Sequence, residues 1–194
     1  MTWDDVSEQD NWQKKGRLEV ICGSMFSGKT EELIRRLKRA EFAKQKIKVF
    51  KPKIDIRYKP DKVTTHYGRS IDAFLVEKAS EILQHALPTQ VIGIDEAQFF
   101  DETLIEVCEE LVAQKIRVIL AGLDMDYLGR PFGAIPILMA KADFVTKVHA
   151  ICMHCGDTAL HSHRIRGGKN LIEVGETKQY IPLCRTCFIH AQNL

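Results

Sequence analysis

The residues Gly23-Ser24-Met25-Phe26-Ser27-Gly28-Lys29-Thr30 follow a short apolar run, Leu18 to Cys22, and precede a stretch of helical apolar spacing. In a G-x-x-x-x-G-K-[ST] loop so placed, the glycines let backbone N–H groups curl round phosphate oxygens, and the helix start adds partial positive charge. Lys29 then reaches the β and γ phosphates, and the Thr30 hydroxyl ligates magnesium. A chance match in a glycine-containing turn is the alternative; the strand before and the helix after count against it. Further along, VIGIDEAQFF places Asp95 and Glu96 at the end of an apolar strand, where open α/β sheets bind their ligands. Asp95 suits the acidic residue that holds the magnesium, usually through water, which leaves Glu96 without metal duty and able to act as a base. A solvated Asp-Glu pair opening a turn is the bland alternative.

A third group is CMHC at Cys152 to Cys155 and CRTC at Cys184 to Cys187. Two such pairs can close a tetrahedral thiolate cage round zinc, although the stretch between them is longer than in a usual zinc ribbon. A redox role is the rival, but redox CxxC motifs normally occur singly, near a strand-helix junction. With cysteine at all four positions the site is expected to be structural. Cys22 and Cys108 fall in apolar contexts and are expected to be packing residues.

These motifs must be positioned by regular elements. Strands are expected at Leu18 to Cys22, Ile47 to Phe50, Ile71 to Val76, Val91 to Asp95, Ile116 to Ala121 and Phe144 to Ile151. Helices are expected after Thr30, over Lys78 to Leu87 where Pro88 stops the chain, and over Glu102 to Gln114. In the first helix Leu33, Ile34, Leu37, Ala40 and Phe42 form the apolar face, and Arg35, Arg36, Lys38 and Arg39 lie mostly on a solvated one. A long polar stretch runs from Lys51 to Arg69. Strands alternating with helices give a parallel sheet covered on both faces.

The chain of 194 residues has room for one such domain and a small appendage. Basic and acidic side chains, 28 against 26, leave a net charge of +2, so no global field argues for a nucleic-acid or membrane partner. Residues 1–16 lack the basic start and apolar run of a secretory signal, and no segment approaches the about 20 apolar residues that span a bilayer. A cytoplasmic protein is the default, and its six cysteines are expected to be thiols or metal ligands rather than disulfides.

The Gly23 to Thr30 loop, Asp95-Glu96-Ala97-Gln98-Phe99-Phe100, Arg130-Pro131-Phe132-Gly133 and the paired CxxC knuckles, in that order, resemble the zinc-containing, cytosolic-type thymidine kinases. The resemblance runs from about Arg17 almost to the C-terminus. It implies transfer of the ATP γ-phosphoryl group to the 5′-hydroxyl of thymidine. It also implies a RecA-like P-loop domain over 17–150, a zinc domain over 151–194, and commonly a homotetramer. Residues 1–16 are then an extension expected to be disordered, and the family brings no explanation for Trp3 and Trp12 within it.

Residue by residue, Gly23 through Thr30 with Asp95 and Gln98 match the nucleotide and magnesium site, and Glu96 matches the base that takes the sugar hydroxyl proton. Asp55 and Arg57 match a segment beside the phosphates, with Arg57 and Lys29 stabilising charge. Met25, Phe100, Leu123, Tyr127 and Phe132 match apolar positions around the thymine or its sugar; by residue type alone each would more often be core. Residues from Gly167 to Tyr180, among them Glu173, Val174 and Gly175, match a lasso loop that closes over the base, with Tyr180 against the nucleoside. Two positions depart from the pattern: Tyr127 stands where many relatives carry Phe, and Ser162 where a Thr commonly approaches the base. The lasso also lacks the paired glycines of some relatives.

DEAQ resembles a helicase motif as well, but a helicase needs two RecA-like lobes and this chain has room for one. A switch GTPase is disfavoured by the lack of an N-K-x-D guanine reader.

Overall fold

The computed structural model describes residues 15–54, 62–64, 70–166 and 179–192. Six strands form one sheet: β1 (Arg17–Cys22), β2 (Ile47–Pro52), β5 (Phe74–Val76), β6 (Val91–Ile94), β7 (Arg117–Gly122) and β8 (Phe144–Lys147). Their order is β5-β2-β6-β7-β1-β8, and every neighbouring pair is parallel. Two short strands, β3 (Lys62–Thr64) and β4 (Ser70–Asp72), make a separate antiparallel ladder. The parallel sheet, with β7 between the strand that feeds the Gly-rich loop and the strand that ends in Asp95, agrees with the RecA-like α/β class expected from the sequence.

Period-2 alternation divides the strand residues between two cores. Val20 of β1 and Val118 and Leu120 of β7 face one side. That side is covered by helices α2 (Glu81–Ala86), α3 (Thr103–Ala113) and α4 (Ile135–Lys141). Ile21, Ile119 and Ala121 face the other, under helix α1 (Lys29–Phe42) and the β3–β4 ladder. Helix α1 buries Leu33, Ile34, Leu37 and Ala40, and Glu31 and Glu32 in its first turn complement the helix dipole. It can lie close because Gly93 on β6 presents no side chain: a Cβ there would meet Leu37 Cδ1 at 2.7 Å.

Several sequence expectations need correction. Phe42 is 88% exposed, so it does not belong to the apolar face of α1. Arg36 does not lie on a solvated face. It donates to Glu32, to buried Glu19 on β1 and to Thr146 on β8, tying the helix to the sheet. Burial would raise the Glu19 carboxyl, but the guanidiniums of Arg117, Arg17 and Arg36 outweigh it and hold it below its ordinary value.

The strand expected over Ile71 to Val76 is two strands, because Ile71 pairs with Val63 while Phe74 to Val76 pairs with β2. Likewise Phe144 to Ile151 divides, because β8 runs beside β1 and the chain then turns away to β9 (Ala150–Ile151). Helix α2 is shorter than expected, and α4 was not legible as a helix. Among the described residues no helix is long and apolar enough to cross a membrane.

The rest of the chain forms a small unit beside the sheet. Strand β9 pairs with β10 (Thr158–Ala159), and β11 (His161–Arg164) pairs antiparallel with β12 (Tyr180–Leu183), followed by helix α5 (Arg185–Gln192). Its core is Ala150, Cys152, Ala159, Leu183, Cys184 and Phe188, with Phe26 from the Gly-rich loop packed against it.

Candidate functional site

Each candidate segment of the larger unit leaves the C-terminal end of a parallel strand, the edge at which open α/β sheets bind ligands. From β1 the chain enters the Gly-rich loop. Gly23, at φ +144°, lies so close to the Val148 carbonyl that a Cβ would be 2.1 Å from it, so only glycine fits. Gly28, at φ 85°, turns the loop into α1. Ser27 Oγ and Lys29 Nζ both donate to the Ser24 carbonyl at 2.7 Å, which holds the loop in a compact curl. The Thr30 hydroxyl lies 3.3 and 3.4 Å from the two Asp95 oxygens, although β7 separates their strands. A hydroxyl and a carboxylate brought together beside the backbone of the Gly-rich loop suit a hard divalent cation.

Glu96 stands at the turn from β6 into a 3-10 turn, Ala97–Phe99, with left-handed backbone angles of φ 50° and ψ 39°. Such a conformation is strained for a residue with a Cβ and is found at functional sites. Gln98, expected among the nucleotide-binding residues, is linked to its neighbours. It is 2% exposed, its amide donates to Glu96 Oε2 at 2.6 Å, and its Oε1 accepts from Leu123 N–H at 3.0 Å. Phe100 is buried behind this turn.

The segment after β7 is fixed by Asp126, a residue the sequence reading passed over. Its Oδ1 accepts from the N–H groups of Leu128 and Arg130, and its own N–H donates to the Arg130 carbonyl. Aspartate caps tight turns in this way, and Gly129 at φ 77° completes it, so D-Y-L-G was a legible turn signal. The turn presents Tyr127, and Phe132 beyond it packs edge-to-face on Phe99 with ring centroids 6.2 Å apart.

The small unit approaches this edge through β11 and β12. Ser162 Oγ accepts from the Met25 N–H at 2.9 Å, joining the Gly-rich loop to β11. Tyr180 is buried opposite Arg164. Arg164, also absent from the sequence reading, donates from Nε and Nη2 to the Tyr180 hydroxyl at 3.0 and 2.8 Å. Its guanidinium lies 3.7 Å from the centroid of the Tyr127 ring. No local pattern could have flagged it, since its partners come from remote parts of the chain. Asp55, Arg57, Glu173, Val174 and Gly175 lie outside the described residues, as do Trp3 and Trp12.

The ligand atoms of Cys152, Cys155, Cys184 and Cys187 all lie within 4.8 Å of one another, with Cys155 Sγ 3.6 Å from Cys184 Sγ. Four thiolates at about 2.3 Å from zinc sit about 3.8 Å apart in a tetrahedron, so this donor set fits the metal. Burial would raise the Cys152 thiol, but backbone N–H groups from Cys184, Cys155 and His154 outweigh it and bring it down to about 6, whereas the hydrogen bond with Cys184 pushes the Cys187 thiol up. Burial pushes Cys22 up to about 11 and Cys108 up to about 12, in keeping with packing roles.

The thymidine kinase family model matches residues 16–188. A thymidine kinase of Bacteroides thetaiotaomicron is 54% identical over 180 residues, covering 93% of this chain and 90% of its own. One of Porphyromonas gingivalis is 52% identical over 175 residues, covering 90% and 86%. Among solved structures, a DNA replication initiation factor shares 12% identity over 74% of this chain and 44% of its own with a TM-score of 0.43, too slight a likeness to bear on function. The Gly-rich loop, the Asp95-Glu96 pair and the cysteine cluster all fall within the span that the family model matches, and the chain belongs to the thymidine kinase family.

Proposed function

We infer that the protein transfers the γ-phosphoryl group of ATP to the 5′-hydroxyl of thymidine. The observation that carries this reading, beside family membership, is a continuous chain of contacts at one edge of the sheet. It runs from the phosphate-type loop through Thr30 and Asp95 to Glu96, then by Gln98 to Leu123 and the Tyr127 turn.

In this reading the backbone N–H groups of Gly23 to Thr30 hold the triphosphate, and Lys29 leaves the Ser24 carbonyl for the β and γ phosphate oxygens. Thr30 and Asp95 would hold Mg²⁺, which when bound neutralises charge on the phosphates. Glu96 accepts the proton of the sugar hydroxyl as its oxygen attacks, and Gln98 fixes the carboxylate by donating to one of its oxygens. Gln98 thus acts as a positioning residue for the base and for Leu123. Met25, Phe100, Leu123, Tyr127, Phe132 and Tyr180 form the nucleoside walls, with Ser162 tied to Met25. By the family resemblance, Glu173, Val174 and Gly175 would contribute to recognition of the base, and Arg57, with Asp55 in the same segment, would supply charge for the phosphates. Zinc at the four cysteines is structural.

A division near residue 150 between P-loop and zinc units, a homotetramer and a cytoplasmic location complete the reading. The test is phosphate transfer from labelled ATP over a panel of nucleosides. Thymidine should be phosphorylated, deoxyuridine more slowly because one methyl contact is worth about 1 to 3 kcal/mol, and purine deoxynucleosides not measurably. ATP hydrolysis stimulated by single-stranded DNA, with no nucleoside product, would overturn it.

A further inference from the structure

Tyr127 and Tyr180 come from separate parts of the chain, one from the turn after β7 and the other from the start of β12. Arg164, on β11, touches both, stacking on Tyr127 and donating to Tyr180. Its position is set by the ladder, where it is paired with Tyr180, and Ile165 N–H donates to the Gln179 carbonyl at 2.8 Å just beyond. Its Cζ is 3.7 Å from the Tyr127 ring centroid and 5.3 Å from that of Tyr180, and two of its nitrogens donate to the Tyr180 hydroxyl. We propose that Arg164 is a positioning residue of the nucleoside site, setting the spacing and orientation of the Tyr127 and Tyr180 walls before the nucleoside arrives.

The chemistry is particular to arginine. A guanidinium has a flat face for stacking on a ring and an edge of N–H donors, so one side chain can do both at once. The tyrosine hydroxyl offers two acceptor lone pairs and one donor. With Nε and Nη2 occupying its acceptor side, the hydroxyl proton points away from the guanidinium, which fixes the rotor as well as the ring. A lysine has neither the plane nor the paired edge. At Tyr127 the counterpart wall is held from behind by the Asp126 turn, so Arg164 works against a rigid support.

This inference deepens the proposed function and rests on it. Arg164 contacts the two walls, so its loss should appear in thymidine binding rather than in the chemical step. The test is steady-state kinetics of the full chain as wild type, Arg164→Lys, Arg164→Gln, Tyr180→Phe and the double variant Arg164→Gln/Tyr180→Phe. Wild type must first phosphorylate thymidine; failure there removes the proposed function and not the geometry.

Given activity, Arg164→Gln should raise the KM for thymidine about tenfold and Arg164→Lys nearly as much, with the KM for ATP unmoved and kcat little changed. Tyr180→Phe, which keeps the ring and folds most readily, should raise the same KM about threefold, and the double variant should be no worse than Arg164→Gln alone. A wild-type thymidine KM in Arg164→Lys or in Tyr180→Phe would overturn the proposal. So would fully additive effects in the double variant, or an equal rise in both substrates' KM values.

Discussion

The sheet and the cysteine unit are held by different physics, and the candidate site lies where Ser162 and Phe26 join them. In the sheet, parallel strands are buried on both faces, with Val20, Ile21, Ile119 and Leu120 fully enclosed. The cysteine unit has strands of two to four residues and one small cluster about Cys152, Cys184 and Phe188. Residues 151–194 number 44, close to the size of about 40 below which a fold usually needs a metal or a crosslink. On the proposed function, the phosphate-handling residues therefore sit on the larger scaffold, and the β11–β12 ladder, assigned to the nucleoside, on one that a metal would complete. Adjacent residues of the Gly-rich loop connect the two: Met25 N–H donates to Ser162, and Phe26 packs into the small cluster. On the proposed function, loss of the metal should weaken nucleoside binding without weakening phosphate binding, and a change confined to the phosphate loop should leave nucleoside binding in place.

The largest test of that asymmetry is Lys29→Ala. It removes the cation that acts on the phosphates during transfer, and kcat should fall by about 10³-fold while thymidine binding and thermal melting stay as in wild type. Normal turnover by the folded variant would exclude the role assigned to Lys29. Next, Glu96→Gln keeps the side-chain shape but cannot accept the proton, and kcat should drop about 10²-fold with nucleotide binding retained. Asp95→Asn should act differently, raising the magnesium concentration needed for half-maximal rate.

On the other side of the seam, Cys184→Ser should lower bound zinc. It should also weaken thymidine binding about tenfold while ATP affinity moves less than twofold, because a structural zinc site contributes folding energy to its own unit. Zinc content and both affinities measured on one preparation decide it. Equal losses in both would mean that the units do not behave independently. An unchanged thymidine affinity would mean that the β11–β12 ladder holds without the metal.

The smallest effect concerns the sheet alone. Hydrogen bonds from Arg35, then from Arg36, hold the Glu32 carboxyl down at about 2 against an ordinary value of 4.5. A carboxyl lowered in the folded state contributes stability above its unfolded value and loses it as pH falls. Acid titration followed by circular dichroism should therefore show a decline between about pH 4.5 and 2 that Glu32→Gln diminishes. A curve unaltered by that change would show that the pair carries no net stability, as exposed ion pairs often do not.

Local chemistry was enough for the sequence to determine the phosphate loop, the Asp95-Glu96 pair and the four-cysteine set. In the first two the recognising atoms lie within a few consecutive residues, and in the third within two CxxC pairs whose matched spacing marks them as partners. The central strands β6 and β7 were equally legible, since a strand buried on both faces reads as an apolar run. What only tertiary structure decided is how remote residues meet. The closeness of Thr30 to Asp95 depends on α1 crossing above β7. Arg36 reads as a solvated helix residue until Glu19 and Thr146 are brought under it. Gln98 reaches Leu123 because β6 and β7 are neighbours, and Arg164 holds Tyr127 and Tyr180 because the small unit docks on the Gly-rich loop. Hydrogen bonds and stacking act over about 3 to 4 Å, whatever the separation along the chain, so these contacts leave no periodic trace in the sequence.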